Sequence, residues 1–254
     1  MGRVLALAYG VTCYAIFLMT FCYAIGFIGG FVVPTALDGE ASGSLGTALL
    51  VNLGLLALFA VQHSVMARPG FKRAWTKIVP RPVERSTYVL FASLALCLLF
   101  WQWRPMGGMV WEVTNPLGRG ALRGLFGFGW ALVLVTTFLI NHFDLFGLRQ
   151  VWMYFRGLKY RPLSFVTPGP YKIVRHPLYV GWLCVFWATP TMTVAHLLFA
   201  VMTTAYILVA IRLEERDLLA EHGQRYATYR RQVPMLVPGR VRADQDTMPI
   251  EVQG

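Results

Sequence analysis

The stretch VLALAYGVTCYAIFLMTFCYAIGFIGGFVV, Val4 to Val33, runs for 30 residues without one charged side chain. A helix needs roughly 20 apolar residues to cross the hydrocarbon core of a bilayer, so this stretch reads as a membrane span. It is too long for the core of a secretory leader, and no small-residue cleavage site is clear around Gly29 and Gly30, so the reading retains it. Working outward, Leu45 to Met66, Thr87 to Trp103 and Ala121 to Leu145 repeat the pattern. A fifth apolar tract, Leu178 to Ile211, is too long for one span and contains Pro190. Proline lacks an N–H and its ring clashes with the preceding turn. The tract therefore reads as a hairpin, with one arm ending at Thr189 and the other starting at Thr193. The fold expected is an all-α polytopic membrane protein: four transmembrane helices plus a C-terminal helical hairpin, five to six spans in total.

Past Ile211 the hydropathy falls, and Arg212 to Arg231 reads as an amphipathic cytoplasmic helix with Leu218, Leu219, Tyr226 and Tyr229 on its apolar side. Val233, Pro234 and Pro238 end it, and residues 242–254 read as a polar, flexible tail. With no internal repeat and no low-complexity linker, residues 1–254 read as one domain.

Apolar residues make up 56% of the chain and charged residues 14%, too little polar surface for a soluble domain. The net charge of +11 is distributed by loop. No Lys or Arg lies between the first two spans, while six lie between the second and third (Arg68, Lys72, Arg73, Lys77, Arg81, Arg85). Three follow in the next loop, six in the one after it (Arg149 to Arg175) and seven from Arg212 onward. By the positive-inside bias, both termini and both six-residue clusters are cytoplasmic in an inner-membrane protein. The basic excess is thus a signal of topology and lipid contact, and no aromatic-interleaved soluble module accompanies it to suggest nucleic acid. Cys13, Cys22, Cys97 and Cys184 all fall inside spans, which argues against a disulfide framework or a metal site.

Chemistry-bearing residues gather at the cytoplasmic ends of these spans. Gly169-Pro170-Tyr171 leads into Arg175-His176-Pro177-Leu178-Tyr179-Val180-Gly181, where Pro177 suits the first turn of a helix entering the membrane. Free N–H groups there, beside Arg175 and His176, suit an anion; anchoring a helix end against lipid headgroups is the plainer role. Just beyond the hairpin stand Glu214 and Glu215. Because a hairpin returns to its starting side, the Arg-His pair can approach the two carboxylates and hold a zwitterionic ligand by both ends. A surface salt bridge of little energetic weight is the alternative.

The paired pattern, with Leu219, Gly223, Tyr226, Tyr229 and Val233-Pro234 following the carboxylates, resembles the isoprenylcysteine carboxyl methyltransferase group of integral membrane methyltransferases over Gly169 to Pro234. Gln62-His63-Ser64-Val65-Met66-Ala67-Arg68-Pro69, Glu84-Arg85-Ser86-Thr87-Tyr88 and Asn141-His142-Phe143-Asp144-Leu145-Phe146-Gly147 resemble the methanethiol S-methyltransferase family. The first two blocks also resemble NnrU-type membrane proteins, which leaves a non-enzymatic role open. The methyltransferase resemblance implies that S-adenosylmethionine methylates a small volatile thiol, methanethiol, to dimethyl sulfide. An isoprenylcysteine carboxylate or a lipid amine is the alternative acceptor. It implies a cofactor-binding part over about 141–238, with Arg175, His176, Pro177, Tyr179, Gly181, Glu214, Glu215 and Tyr226 contributing, and no metal.

Methyl transfer from a sulfonium to a thiolate cancels opposite charges, so a water-poor pocket favours it. Asp144, Asn141, His142 and His63 are the candidates to assist the thiol. On a regular helix Asn141 and Asp144 share a face while His142 and Asp144 do not; His142 has the ordinary pKa best suited to a base near neutrality. Gly124, Gly127 and Gly129 read as close-packing positions, Trp101, Trp103 and Trp111 as interfacial anchors, His196 as an outer-side hairpin residue and His222 as solvated.

Overall fold

A computed structural model describes residues 2–41 and 43–239; the proposed polar tail lies outside them. Among the described residues, five helices are long and apolar enough to cross a membrane: α1 (Arg3–Gly29), α2 (Leu45–Ala67), α4 (Arg81–Gln102), α5 (Pro116–Leu139) and α9 (Val194–His222). Among the shorter helices are α3 (Pro69–Trp75), α6 (His142–Leu145), α7 (Leu148–Phe155), α8 (Pro177–Trp187) and α10 (Gln224–Gln232). This is a multi-pass all-α membrane architecture.

Local chemistry sets the helix boundaries. α1 ends where Gly30 takes φ 70°, a left-handed cap whose N–H reaches Gly26 O. The Ser44 hydroxyl caps α2 by accepting from Thr47 N, and Asn115 caps α5 by accepting from Leu117 N and Gly118 N. Helix α4 starts at Arg81, six residues before the expected Thr87, because Pro82 is tolerated in a first turn. Helix α5 stops at Leu139 instead of running on to Leu145, because Asn141 adopts φ 90° and starts the separate turn α6.

The hairpin is asymmetric. Its first arm, α8, has 11 residues, which at 1.5 Å each rise about 16 Å, roughly half the hydrocarbon core. The second arm, α9, has 29 residues, about 43 Å of helix. The expected separate amphipathic helix from Arg212 is therefore a correction: α9 continues unbroken to His222, and only α10 is distinct, set off by Gly223 at φ 54°.

Helix α5 packs on α8, α4 on both α1 and α2, and α9 on α8 and α2. The α5–α8 contact depends on two glycines. A Cβ on Gly181 would lie 2.8 Å from Val133 Cγ2 and 2.9 Å from the Gly129 carbonyl, while one on Gly129 would meet the Gly181 carbonyl at 2.8 Å. Gly129 thus packs as expected, whereas added Cβ atoms on Gly124 and Gly127 would meet open space. Phe27, Leu99, Phe100, Trp103, Val185 and Phe199 fill the main core, and side chains such as Leu50, Val61 and Leu117 point outward. Outward apolar surface of this kind suits lipid.

At the end of the bundle poor in basic residues, strands β1 (Met109–Glu112) and β2 (Thr191–Thr193) pair antiparallel. Trp103 is buried there and donates to Leu37 O, so it is a core residue, whereas Trp101 is exposed. His196, also buried, fills a vacancy left by proline. In a continuing helix Phe186 O would receive an N–H from residue 190, and Pro190 has none. His196 Nε2 lies 3.1 Å from that carbonyl and Nδ1 lies 3.0 Å from Asp38 Oδ2. The chain between α1 and α2 is thereby fastened to the hairpin.

Candidate active site

At the opposite, basic end, α9 carries Glu214 and Glu215. Adjacent helical residues point about 100° apart, so the two carboxylates face different surroundings. Glu215 is buried and accepts from Arg175 Nε at 2.7 Å, with His176 Nε2 at 3.1 Å. Arg175 Nη1 also donates to Val233 O (2.6 Å) and Arg230 O (3.0 Å). The backbone N–H groups of Arg175 and His176 bond Pro234 O and Met235 O, and Tyr229 Oη donates to Tyr171 O. Arg175, His176 and Glu215 thus satisfy one another and latch the segment after α10 onto the start of α8. Tyr226 is buried beside this latch, 1% exposed, with no partner for its hydroxyl. Burial, reinforced by Glu215, raises the pKa of that phenol.

Glu214 faces the other way. Its side chain is 45% exposed and accepts from Tyr179 Oη at 3.0 Å. With Leu218 and Glu221, at the i, i+4, i+7 spacing of one helix face, it lines a cavity of about 800 Å³. The facing wall comes from α3 and α4 as Lys72, Arg81, Glu84 and Arg85, and the remaining side includes Asp144, Gln150, Tyr154 and Tyr160. Burial, followed by the nearby Arg85 charge, pulls the Lys72 ammonium below its ordinary value of 10.5. Two acceptors in this lining, Glu84 Oε1 and Gln150 Oε1, are buried without a hydrogen-bond partner. Arg85 is held in place by donating from Nε to Leu145 O at 2.6 Å and by lying over the Tyr88 ring.

Asp144 and His142 part company at the helix break. The Asn141 side chain accepts from Asp144 N at 3.0 Å and stabilises the turn. Asp144 then faces the cavity with both oxygens engaged, Oδ1 by Arg149 (2.8 Å) and Oδ2 by Tyr160 (3.3 Å). His142 turns inward, 3% exposed and stacked on Phe138. Its Nε2 lies 2.9 Å from Tyr14 Oη and its Nδ1 2.8 Å from Thr137 Oγ1, which itself donates to Leu134 O. With the Thr137 proton used there, Nδ1 is the donor and Nε2 accepts from Tyr14, which fixes a neutral tautomer. Burial lowers the His142 pKa in the same sense. Asn141 and His142 border a second, smaller cavity of about 380 Å³. His63 borders neither cavity and is hydrogen-bonded to Tyr88 Oη.

Of the residues picked out from sequence, the larger cavity brings together Glu214 and Asp144. Pro177 is buried as the first residue of α8, Tyr179 reaches the cavity only through Glu214, and Gly181 serves the α5–α8 contact. Lys72, Arg81, Glu84, Arg85, Gln150, Tyr160 and Glu221 were not singled out as site residues. The basic ones read as topology signals, and Glu84 precedes the apolar run from Thr87 although α4 itself begins at Arg81. The Glu84-Arg85 block itself was the available signal. Among the described residues, no group of three or more His, Cys, Asp and Glu is placed to hold a metal ion.

Residues 124–225 match the phospholipid methyltransferase family. The chain is 60% identical over 238 residues to a methanethiol S-methyltransferase of Crocosphaera subtropica, covering 94% of this chain and 93% of the relative. A methanethiol S-methyltransferase of Mycobacterium tuberculosis is 56% identical, covering 94% and 98%. Methanethiol S-methyltransferase 2 of Bradyrhizobium diazoefficiens is 54% identical over 251 residues, covering 98% and 96%. No solved structure matches. With near-full-length identity of this order joined to a multi-pass helical bundle and a charged cavity at its basic end, the chain belongs to the methanethiol S-methyltransferase family of membrane methyltransferases.

Proposed function

We propose that this enzyme transfers a methyl group from S-adenosylmethionine to methanethiol, forming dimethyl sulfide, in the larger cavity, and that this cavity and both termini face the cytoplasm across the inner membrane. The observation that carries the reading is convergence. Glu84 and Arg85, Asp144, and Glu214 come from three separate sequence blocks and line one cavity of about 800 Å³, a volume within the usual range of ~300–1,000 Å³ for small-molecule sites.

The residues present fit the cofactor. It carries an ammonium, a carboxylate, ribose hydroxyls and an adenine amino group, while the cavity offers carboxylates and cations on its walls. The unpartnered Glu84 Oε1 and Gln150 Oε1 are buried acceptors, which a ligand rich in N–H and O–H donors would satisfy. Glu214 and Glu221 would take its cationic groups, and Arg81 or Arg85 its carboxylate. When bound, the cofactor supplies an electrophilic methyl group that the thiolate sulfur takes in line, carrying it away as dimethyl sulfide.

The chain's own contribution is placement and potential. Lys72, Arg81 and Arg85 make one wall positive, and a positive surround favours a thiolate over its thiol; the thiol proton leaves to water. Leu145 and Leu218 supply apolar surface beside that wall. The Arg175–His176–Glu215 latch acts at one remove by fixing the turn of α9 that presents Glu214. Asp144, tied to Arg149 and Tyr160, shapes the wall and is no free base. In the test, purified protein in detergent receives methanethiol and S-adenosylmethionine, and dimethyl sulfide is followed in the headspace. Turnover supports the reading; S-adenosylmethionine binding without turnover of methanethiol, but with turnover of a phospholipid amine, removes the acceptor assigned here.

A further inference from the structure

The smaller cavity, about 380 Å³, has a lining of opposite character to the larger one. Phe138, Leu139, Phe143, Leu163 and Val166 supply its apolar surface, and no Lys, Arg, Asp or Glu lines it. Of its polar groups, the Asn141 side-chain oxygen accepts from Asp144 N and both His142 nitrogens have hydroxyl partners, and the neutral Ser164 hydroxyl completes the lining. Phe138, Phe143 and Val166 are each more than half exposed, so the lining continues onto the outward apolar surface. Among the described residues, Ile140 alone lines both cavities. It is held at the end of α5 by its N–H to Thr136 O and by the left-handed turn at Asn141.

We infer that Ile140 sets the size of the acceptor thiol, standing between an apolar antechamber that takes the neutral thiol and the charged cavity where the thiol is ionised and methylated. The inference rests on the function proposed above. A neutral thiol with a short alkyl group partitions into the apolar lining, and each further methylene buried there favours it. A thiolate does not, because no Lys or Arg among the described lining residues offsets its charge. Only past Ile140 does it meet Lys72, Arg81 and Arg85. The bulk at position 140 therefore decides which alkyl chains pass.

The experiment compares methanethiol, ethanethiol and 1-propanethiol as acceptors in wild type, Ile140→Ala and Ile140→Phe, with S-adenosylmethionine affinity measured in each by calorimetry. A single methylene in an apolar pocket is discriminated by about 10- to 200-fold. Ile140→Ala is expected to raise kcat/KM for 1-propanethiol relative to methanethiol at least tenfold. Ile140→Phe is expected to lower kcat/KM for methanethiol at least tenfold beyond any change in cofactor affinity, since Ile140 also borders the larger cavity. Leu163→Phe, which fills the antechamber from its other side, should raise KM for methanethiol without changing cofactor affinity, and it keeps the inference testable should Ile140→Ala not fold. An unchanged chain-length profile in variants that bind the cofactor normally, while wild type methylates methanethiol, overturns the role of Ile140 and leaves the proposed function standing. Failure of wild type to methylate any thiol removes the proposed function itself.

Discussion

Replacing Arg175 with Met separates two roles for the Arg-His-Glu cluster. The native guanidinium reaches Glu215 at 2.7 Å and two carbonyls, Val233 O and Arg230 O, and both charged side chains are only 12% exposed. Truncating one partner of a buried ion pair costs about 3–5 kcal/mol. Here Glu215 retains His176 Nε2 at 3.1 Å and Arg230 at 3.9 Å, which places the cost near the lower end, about 3 kcal/mol. For a chain of this size 1 kcal/mol corresponds to roughly 2–4 °C, so Tm in detergent should fall by roughly 6–12 °C. Arg175→Lys should recover only part of this, because an ammonium cannot serve the carboxylate and two carbonyls in a planar fork. Arg175 does not line the cavity, so S-adenosylmethionine affinity, measured by calorimetry well below the variant's own transition, should stay within about threefold of wild type. An Arg175→Met protein that melts at the wild-type temperature yet loses tenfold or more in cofactor affinity would refute this reasoning and make Arg175 a direct ligand.

Three further outcomes follow from the geometry. Lys72→Met should stabilise the protein at pH 7, where the native state holds a desolvated ammonium beside Arg85, and should reduce turnover. Because the folded pKa of Lys72 is depressed, the wild type gains stability as pH rises toward 10.5, and the advantage of Lys72→Met should fade over that window in melts taken at successive pH values. Gly181→Ala should lower Tm, by an overpacking cost of about 1–3 kcal/mol, since the new methyl meets the Gly129 carbonyl at 2.9 Å; the melt should respond, while cofactor affinity of the folded fraction should not. His196→Leu removes the imidazole that bridges Phe186 O and Asp38; Asp38 keeps the Thr193 hydroxyl at 2.6 Å, so one buried carbonyl is stranded at about 1–3 kcal/mol, and Tm should fall by an amount comparable to that of Gly181→Ala in the same melt, with the basic end of the molecule unaffected in cofactor binding.

The long apolar helices were legible in sequence because hydropathy over twenty residues is a strong constraint, and Pro190 announced the hairpin. Lengths at the ends were not. The stop at Leu139 depends on one asparagine adopting a left-handed conformation, and the length of α9 depends on Arg212 to His222 continuing a helix that composition alone divides. The site was half legible for a related reason. Sequence marked Glu214 and Glu215 as a pair, but helix geometry sends one to the latch and the other to the cavity. It marked Asn141, His142 and Asp144 on one regular helix, and the break at Asn141 turns His142 inward to Tyr14 while leaving Asp144 at the cavity wall. Lys72 and Arg81 read in the sequence as topology signals alone, and only tertiary packing shows that they also line the larger cavity.

The most direct measurement is a structure of the full chain with S-adenosylhomocysteine, the demethylated cofactor. Ligand density between the Glu214–Leu218–Glu221 face of α9 and the Arg81–Arg85 turn of α4, with donors on Glu84 Oε1 or Gln150 Oε1, is the predicted result. Density seated instead on Arg175, His176 and Glu215, with their mutual hydrogen bonds broken, would contradict the account.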